Sequence, residues 1–251
     1  MQENSSLDDT LALMRDLRAR CEWDAAQTHQ SLRPYLIEEA YEVDDAIRSG
    51  DDAKLREELG DLLLQVLFHS VVAAERGAFT MRDVADGFIA KMKARHPHLY
   101  GDGAREPWER MKAKRRESID DGLPVDLPAL HRAFRLQDRA AGVGFDWPDV
   151  EGPIQKVEEE LLEVRHEIGR PEDGARREAL EGELGDLLFA VVNLCRKAGV
   201  HPALALDRAN LKFARRFGAV ERTAVERGLR VGQASLAELD AIWDEVKGVE
   251  G

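Results

Sequence analysis

The chain has 251 residues, enough for one large or two small domains. Thirty-six Lys and Arg against 49 Asp and Glu give a net charge of −13, which argues against a general nucleic-acid or anionic-membrane surface and suits the binding of cations. Cys21 and Cys195 are the only cysteines, far apart and in no metal-binding spacing, so the sequence predicts structural thiols in a reducing cytoplasm rather than a disulfide framework.

Met1 to Arg20 has no apolar core preceded by positive charge and does not read as a signal peptide. Helical periodicity then runs along most of the chain, with almost no alternating β-branched segments. It predicts helices over residues 7–19, 30–48, 52–76, 80–95, 105–118, 126–140, 150–168, 173–198, 201–228 and 235–247. Gly50, Gly77, His96-Pro97, Gly142 to Pro148 and Gly169 to Gly174 punctuate them. The longest apolar stretch, Leu62 to Ala74, is interrupted by Gln65, His69 and Ser70 and is too short to span a bilayer. An all-α, soluble protein is expected. Gly122 and Pro124 place the boundary between a first domain of residues 1–120 and a second of residues 127–251, with residues 121–126 as linker.

The two halves repeat one acidic pattern, EExxE…ELGDLL. Glu38, Glu39 and Glu42 precede Glu58 and Asp61, and Glu159, Glu160 and Glu163 precede Glu183 and Asp186. Residues three or four apart share a helix face. An antiparallel helix hairpin therefore brings Glu39, Glu42, Glu58 and Asp61 to one point, and Glu160, Glu163, Glu183 and Asp186 to another. Two unit charges about 5 Å apart cost roughly 3 kcal/mol at an effective dielectric of about 20, so each cluster calls for a cation. At about 100° per residue the first hairpin's apolar stripe is Leu32, Tyr35, Leu36, Ala40, Val43 and Ile47, with Glu39 at its edge and Glu38 nearly opposite. Glu159 stands in the same relation to Ile154, Val157, Leu161, Val164 and Ile168, so Glu38 and Glu159 are the expected solvated members.

Asp61 and Asp186 open helices that are apolar almost all round. Such helices are buried, and a carboxylate there needs a partner or a metal. Gly60 and Gly185 recur between the acids although a helix-interior Gly costs about 1 kcal/mol relative to Ala, which predicts a close approach to the backbone. His69 is expected in the core, and His96 and His98 at a helix end.

An offset of 121 to 125 residues aligns Glu39 with Glu160 and Glu58 with Glu183, and it also aligns Lys91 and Arg95 with Lys212 and Arg216. Further on, beyond that offset, Trp108 and Lys112 match Trp243 and Lys247, four apart in each copy. Carboxylate oxygens suit hard cations such as Mg²⁺, which keeps water and accepts substrate phosphates, with Mn²⁺ as a substitute. A metal beside Lys and Arg describes a polyphosphate site, and Trp offers a ring face for a nucleobase. A di-metal oxidase of the carboxylate-bundle type would need two Glu-x-x-His motifs. Glu163-Val-Arg-His166 fits once, but its counterpart ends in Asp45. A non-enzymatic helical interaction module would leave Asp61 and Asp186 unexplained.

Over nearly its whole length the chain resembles the MazG nucleoside triphosphate pyrophosphohydrolases. The resemblance is carried by Cys21-Glu22-Trp23-Asp24-Ala25-Ala26-Gln27-Thr28-His29, the run from Pro34 to Glu42, Arg95-His96-Pro97-His98-Leu99-Tyr100, Val143-Gly144-Phe145-Asp146-Trp147 and the run from Lys212 to Phe217. It implies tandem four-helix repeats, a homodimer, and Mg²⁺-dependent conversion of an NTP or dNTP into the monophosphate and pyrophosphate. A related hydrolase selective for dUTP, dCTP or damaged nucleotides is the alternative within the class. Carried over by motif, the metal ligands are Glu160, Glu163, Glu183 and Asp186, with Lys212 and Arg216 on phosphate, Trp243 by the base and Lys247 beside it. Their first-repeat counterparts are Glu39, Glu42, Glu58, Asp61, Lys91, Arg95 and Trp108. The repeats differ where Asn193 and Asn210 face Phe68 and Ile89. Amides can read a ribose or base edge where Phe and Ile cannot, so the second repeat is the expected main catalytic site.

Overall fold

The computed structural model describes residues 5–103 and 116–249. Among them are eleven α-helices and no strand, in agreement with the all-α expectation. They are α1 (Leu7–Arg20), α2 (Glu22–Ala26), α3 (His29–Ser49), α4 (Asp52–Glu75), α5 (Met81–Arg95), α6 (Pro97–Tyr100), α7 (Ala129–Gly142), α8 (Glu151–Ile168), α9 (Gly174–Lys197), α10 (Pro202–Glu226) and α11 (Leu236–Val249). The short α2 and α6 have too few residues to show a period. The helix expected over 105–118 lies outside the described residues except for its last three, and Trp108 and Lys112 lie outside them too.

The chain forms two compact units, residues 1–105 and 106–251, and residues 119–126 lie in the second. Side chains of α7 hold that segment. Arg139, 6% exposed, donates to the carbonyls of Ile119 at 2.6 Å and Asp121 at 2.9 Å, and Arg132 pairs with Asp120 at 3.0 Å.

In unit 1, α3 begins where the Thr28 hydroxyl accepts from the Ser31 amide, and it ends at Gly50, whose φ of 69° is the left-handed turn that favours glycine. Asp51 Oδ1 then accepts from the amides of Ala53 and Lys54 and starts α4, closing the hairpin. Met14, Leu32, Leu67, Phe68, Val71 and Val72 form the buried core between α1, α3 and α4. Arg18 locks α1 down by pairing with Glu75 and donating to the carbonyls of Asp24, Ala25 and Gln27.

In unit 2, α8 and α9 form the matching hairpin. Arg176, in the first turn of α9, donates to the carbonyls of Glu167 and Ile168 and so caps the end of α8, while Asp173 accepts from the Arg176 amide and caps the start of α9. A second core of Val220, Ala224 and Ile242, with Trp243 against it, joins α10 to α11. No helix among the described residues is long and apolar enough to cross a membrane.

The predicted burial of the hairpins needs correction. Leu32 and Val164 are buried, but Tyr35, Leu36, Ile47, Leu161 and Ile168 are exposed. The helices opened by the acids also expose Leu64, Leu184, Leu188 and Phe189, so Asp61 is half-buried and Asp186 exposed rather than buried. The physical reason is that two antiparallel helices cover only one face of each other. Gly60 and Gly185 are corrected as well: a Cβ at either would meet nothing within 4 Å, so among the described residues nothing approaches their backbone. His69 is half-buried, with its Nδ1 2.8 Å from Nδ1 of His29.

Candidate active site

Each hairpin gathers its acids. Carboxylate oxygens of Glu39, Glu58 and Asp61 lie within 4.8 Å of one another in unit 1, and those of Glu160, Glu183 and Asp186 do so in unit 2. Glu42 and Glu163 fall outside these groups of three but adjoin them. Burial, then the neighbouring carboxylates of Asp61 and Glu42, push the Glu39 carboxyl above its ordinary range. Partial desolvation, then Glu42, does the same to Glu58. Glu163 is raised by partial desolvation and by Glu160 and Glu183. Glu38 and Glu159 are exposed, as their wheel positions predict.

The two clusters are not equal. Glu160 is 4% exposed; one of its oxygens takes a 2.6 Å ion pair from Lys156, and the other, Oε2, is buried with no donor. Lys156 also donates to Glu159 at 3.0 Å, and these two partners, Glu160 first, hold its ammonium above the usual lysine range. In unit 1 the counterpart of Lys156 is Tyr35, so Glu39 has no lysine at that position, although Lys54 acts on Glu58. Sequence reading passed over Lys156, although its place four residues before Glu160 was the available signal.

The second-repeat residues expected on substrate divide between two cavities. Asn210, Lys212, Arg216 and Trp243 line one of about 360 Å³, with Phe213 packed on Trp243 at 5.5 Å between ring centroids. Lys247 Nζ lies 3.8 Å from Asp244 Oδ1. Asn193 lines a different cavity, with Gln137, Phe145, Asp146, Trp147 and Phe189. The Trp147 ring lies on the backbone of α8, where a Cβ on Gly152 would come within 2.4 Å of it. Gly152 is thus a glycine the packing requires, and one that the repeat pattern does not reveal. In unit 1, Lys91 and Arg95 sit on α5, while their expected companion Trp108 is outside the described residues.

An all-α chain that builds the same acid-bearing hairpin twice, each with a three-carboxylate cluster, is a tandem-repeat protein with two groups of acids able to hold a cation. The model of the MazG nucleotide pyrophosphohydrolase domain matches it twice, over residues 27–100 and 150–220. The chain is 43% identical to the nucleoside triphosphate pyrophosphohydrolase/pyrophosphatase MazG of Thermotoga maritima, over 96% of this chain and 95% of that protein. It is 41% identical to the nucleoside triphosphate pyrophosphohydrolase of Escherichia coli K12, over 97% of each. YabN of Bacillus subtilis is also 41% identical, but the match covers 95% of this chain and 51% of that protein. The chain belongs to the MazG nucleotide pyrophosphohydrolase family.

Proposed function

We propose that this protein hydrolyses nucleoside and deoxynucleoside triphosphates to the monophosphate and pyrophosphate, principally in the second repeat. The observation that carries this reading is the Glu160–Glu183–Asp186 cluster with its buried, donorless Glu160 Oε2. Three hard oxygen donors and an orphaned anionic atom fit Mg²⁺, or Mn²⁺ in its place, better than a soft metal. Glu160, Glu183 and Asp186 would hold the ion, with Glu163 at the edge, and the ion would neutralise phosphate oxygens and position water. Glu39, Glu58 and Asp61, with Glu42 beside them, form the corresponding site of the first repeat.

Lys212 and Arg216 bind the phosphates from the cavity that they share with Asn210, and Trp243 walls it. Their charges are stronger donors to phosphate than neutral groups, and the guanidinium can engage two oxygens at once. Water adds to phosphorus as a P–O–P linkage breaks, and its proton leaves with the cluster's carboxylates or with solvent. The first repeat, with Phe68 and Ile89 in place of the two asparagines, is the weaker or differently selective site.

The exposed apolar face of α8 and α9, with Leu162 63% and Leu188 62% exposed, supports a homodimer that covers it. A cytoplasmic location accords with the free thiols of Cys21 and Cys195. The net charge of −13 supports nucleotides rather than nucleic acid as partners.

The test is incubation with a panel of NTPs and dNTPs plus Mg²⁺, with identification of the products. Orthophosphate without pyrophosphate would refute the reaction. A larger turnover loss from Glu42→Gln than from Glu163→Gln would refute the assignment to the second repeat.

A further inference from the structure

A helix hairpin is held at one end by its own turn, and its connectivity leaves the other end free. In unit 2 the turn end is closed by Arg176, which donates to the carbonyls of Glu167 and Ile168. The open end, where α8 begins and α9 finishes, is closed by the segment just before α8. Asp146 pairs with Arg196, and its Oδ2 accepts from Lys197 Nζ at 3.1 Å; Arg196 and Lys197 end α9. Lys197 also donates to the Trp147 carbonyl, and the Trp147 ring lies against the α8 backbone at Gly152, where a Cβ has no room. Asp146 and Trp147 thus grip α9 with charge and α8 with an aromatic face. The Arg196 side chain is 11% exposed and that of Asp146 24%, so water and salt weaken this clasp less than a surface pair. Burial opposes the charge of Asp146, yet Arg196 and Lys197 hold its carboxyl below the ordinary aspartate range.

Unit 1 closes the same end of its hairpin with the charges reversed. There the anion, Glu75, is the last residue of α4, and the cation, Arg18, comes from α1. Arg18 Nε donates to Glu75 Oε1 at 2.9 Å, and its Nη1 donates to the carbonyls of Asp24, Ala25 and Gln27, ahead of α3. The two units share the closure and not the residues that make it. In each, the acids lie between the two ends. Glu160 is eight residues beyond Gly152, about 12 Å along α8, and Asp186 is ten residues before Arg196, about 15 Å along α9. The 18 residues of α8 span about 27 Å, so a hairpin that pivots at its turn moves its middle by roughly half of what its open end moves. Opening of about 1 Å at the clasp therefore displaces Glu160 from Glu183 and Asp186 by about 0.5 Å, which is large against Mg–O bonds of about 2.0–2.1 Å that demand near-ideal geometry.

We propose that Asp146 is a positioning residue for the second acidic cluster: with Arg196, Lys197 and Trp147 it fixes the separation of α8 and α9, and through it the spacing of Glu160 against Glu183 and Asp186. It acts through the helices and not on the ion. Loosening it weakens the cation site without removing a ligand, as the loss of an outer support does, which costs about 10–100-fold in metal affinity. This inference rests on the cation site proposed above.

The experiment uses the full chain carrying Glu39→Gln and Asp61→Asn, so that calorimetric titration with Mn²⁺ reads the second hairpin alone. Asp146→Ala removes the clasp and, well below its melting transition, is expected to bind Mn²⁺ about tenfold more weakly than this parent. Asp146→Glu keeps the charge and is expected to stay within about threefold of the parent. Hydrogen exchange without metal is expected to be faster in Asp146→Ala across the middle of both helices, residues 156–163 and 183–190, and to be restored in Asp146→Glu. A residue that only stabilises the fold leaves the Mn²⁺ affinity of the folded protein unchanged. Weakening of less than about threefold in folded Asp146→Ala, equal weakening in Asp146→Glu, or faster exchange confined to residues 144–152 would overturn the inference. If Asp146→Ala does not fold, Asp146→Asn, which keeps the shape and loses the charge, takes its place with the same thresholds. If the parent binds no Mn²⁺, the proposed cation site fails, and exchange alone decides the clasp: faster exchange in the middle of both helices upholds it, and exchange confined to residues 144–152 overturns it.

Discussion

Replacing Lys156 by Met removes the cation that stabilises Glu160 and keeps the aliphatic bulk of the side chain. The carboxylate left behind is 4% exposed and loses its 2.6 Å ion pair, with its other oxygen already lacking a donor. A hydrogen bond to a charged group contributes about 1.5–3 kcal/mol. Because the Lys156 side chain is 42% exposed, water and salt reduce this to about 1–2 kcal/mol. For a domain of about 150–250 residues each kcal/mol moves Tm by about 2–4 °C, so the variant should melt about 2–8 °C lower in chelator. Added Mg²⁺ brings its own charge to Glu160 and no longer competes with an ammonium. The Mg²⁺-induced rise in Tm should therefore be larger in the variant than in the wild type. Scanning calorimetry in EDTA and in saturating Mg²⁺ measures both, and an equal or smaller rise in Lys156→Met would refute the view that lysine and metal share this carboxylate.

Three further outcomes are expected. Glu39 and Glu163 have folded pKa values raised by burial or desolvation and by neighbouring acids, so the folded state binds more protons than the unfolded one between the usual carboxylate pKa and the raised value, and metal-free stability falls as pH rises through that window. Glu163→Gln should thus raise the chelator Tm at neutral pH and lose that gain as the pH approaches 4.5, which a pH series of thermal melts would show; a gain independent of pH would contradict it. Gly152→Ala should cost about 1–3 kcal/mol in urea unfolding, because its Cβ would lie 2.4 Å from the Trp147 ring, and it should shift the tryptophan emission; an unchanged midpoint would refute that contact. Gly185→Ala should raise stability by up to about 1 kcal/mol through helix propensity, because a Cβ there meets nothing within 4 Å; if it instead lowers stability, or lowers the mass measured by light scattering below that of the wild type, a partner copy approaches Gly185.

What the sequence made legible is what depends on local period. The hairpins α3–α4 and α8–α9 follow from apolar spacing with Gly50 and the Gly169 to Gly174 stretch as punctuation, and both acid clusters follow from i,i+3 spacing on paired helices. The errors arise where burial depends on what covers a helix. The run from Leu187 to Val192 is apolar almost all round, yet Leu188 and Phe189 are exposed, because hydropathy records that a face must be covered and not whether the same chain covers it. Gly185 belongs with this: a glycine flanked by acids predicts a close contact, and among the described residues its surroundings are open.

Residues that act across helices were illegible for the opposite reason. Gln137 is an ordinary polar position on α7 until Phe189 is set against it, and only then does its Oε1 become an acceptor without a donor. The difference between the repeats is sharper in three dimensions than in the alignment. Phe68 against Asn193 looks like one altered contact, but together with Val71 against Arg196 and Val72 against Lys197 it separates a closed apolar core from a polar-edged cavity. Lys156 against Tyr35 separates the clusters in the same way, since Glu160 is paired with a lysine at the position where Glu39 has a tyrosine. A duplicated hairpin that keeps its acids while one copy fills its interior and the other opens it has divided its roles: the packing of unit 1 favours stability, and unit 2 leaves polar groups unsatisfied where a ligand can satisfy them.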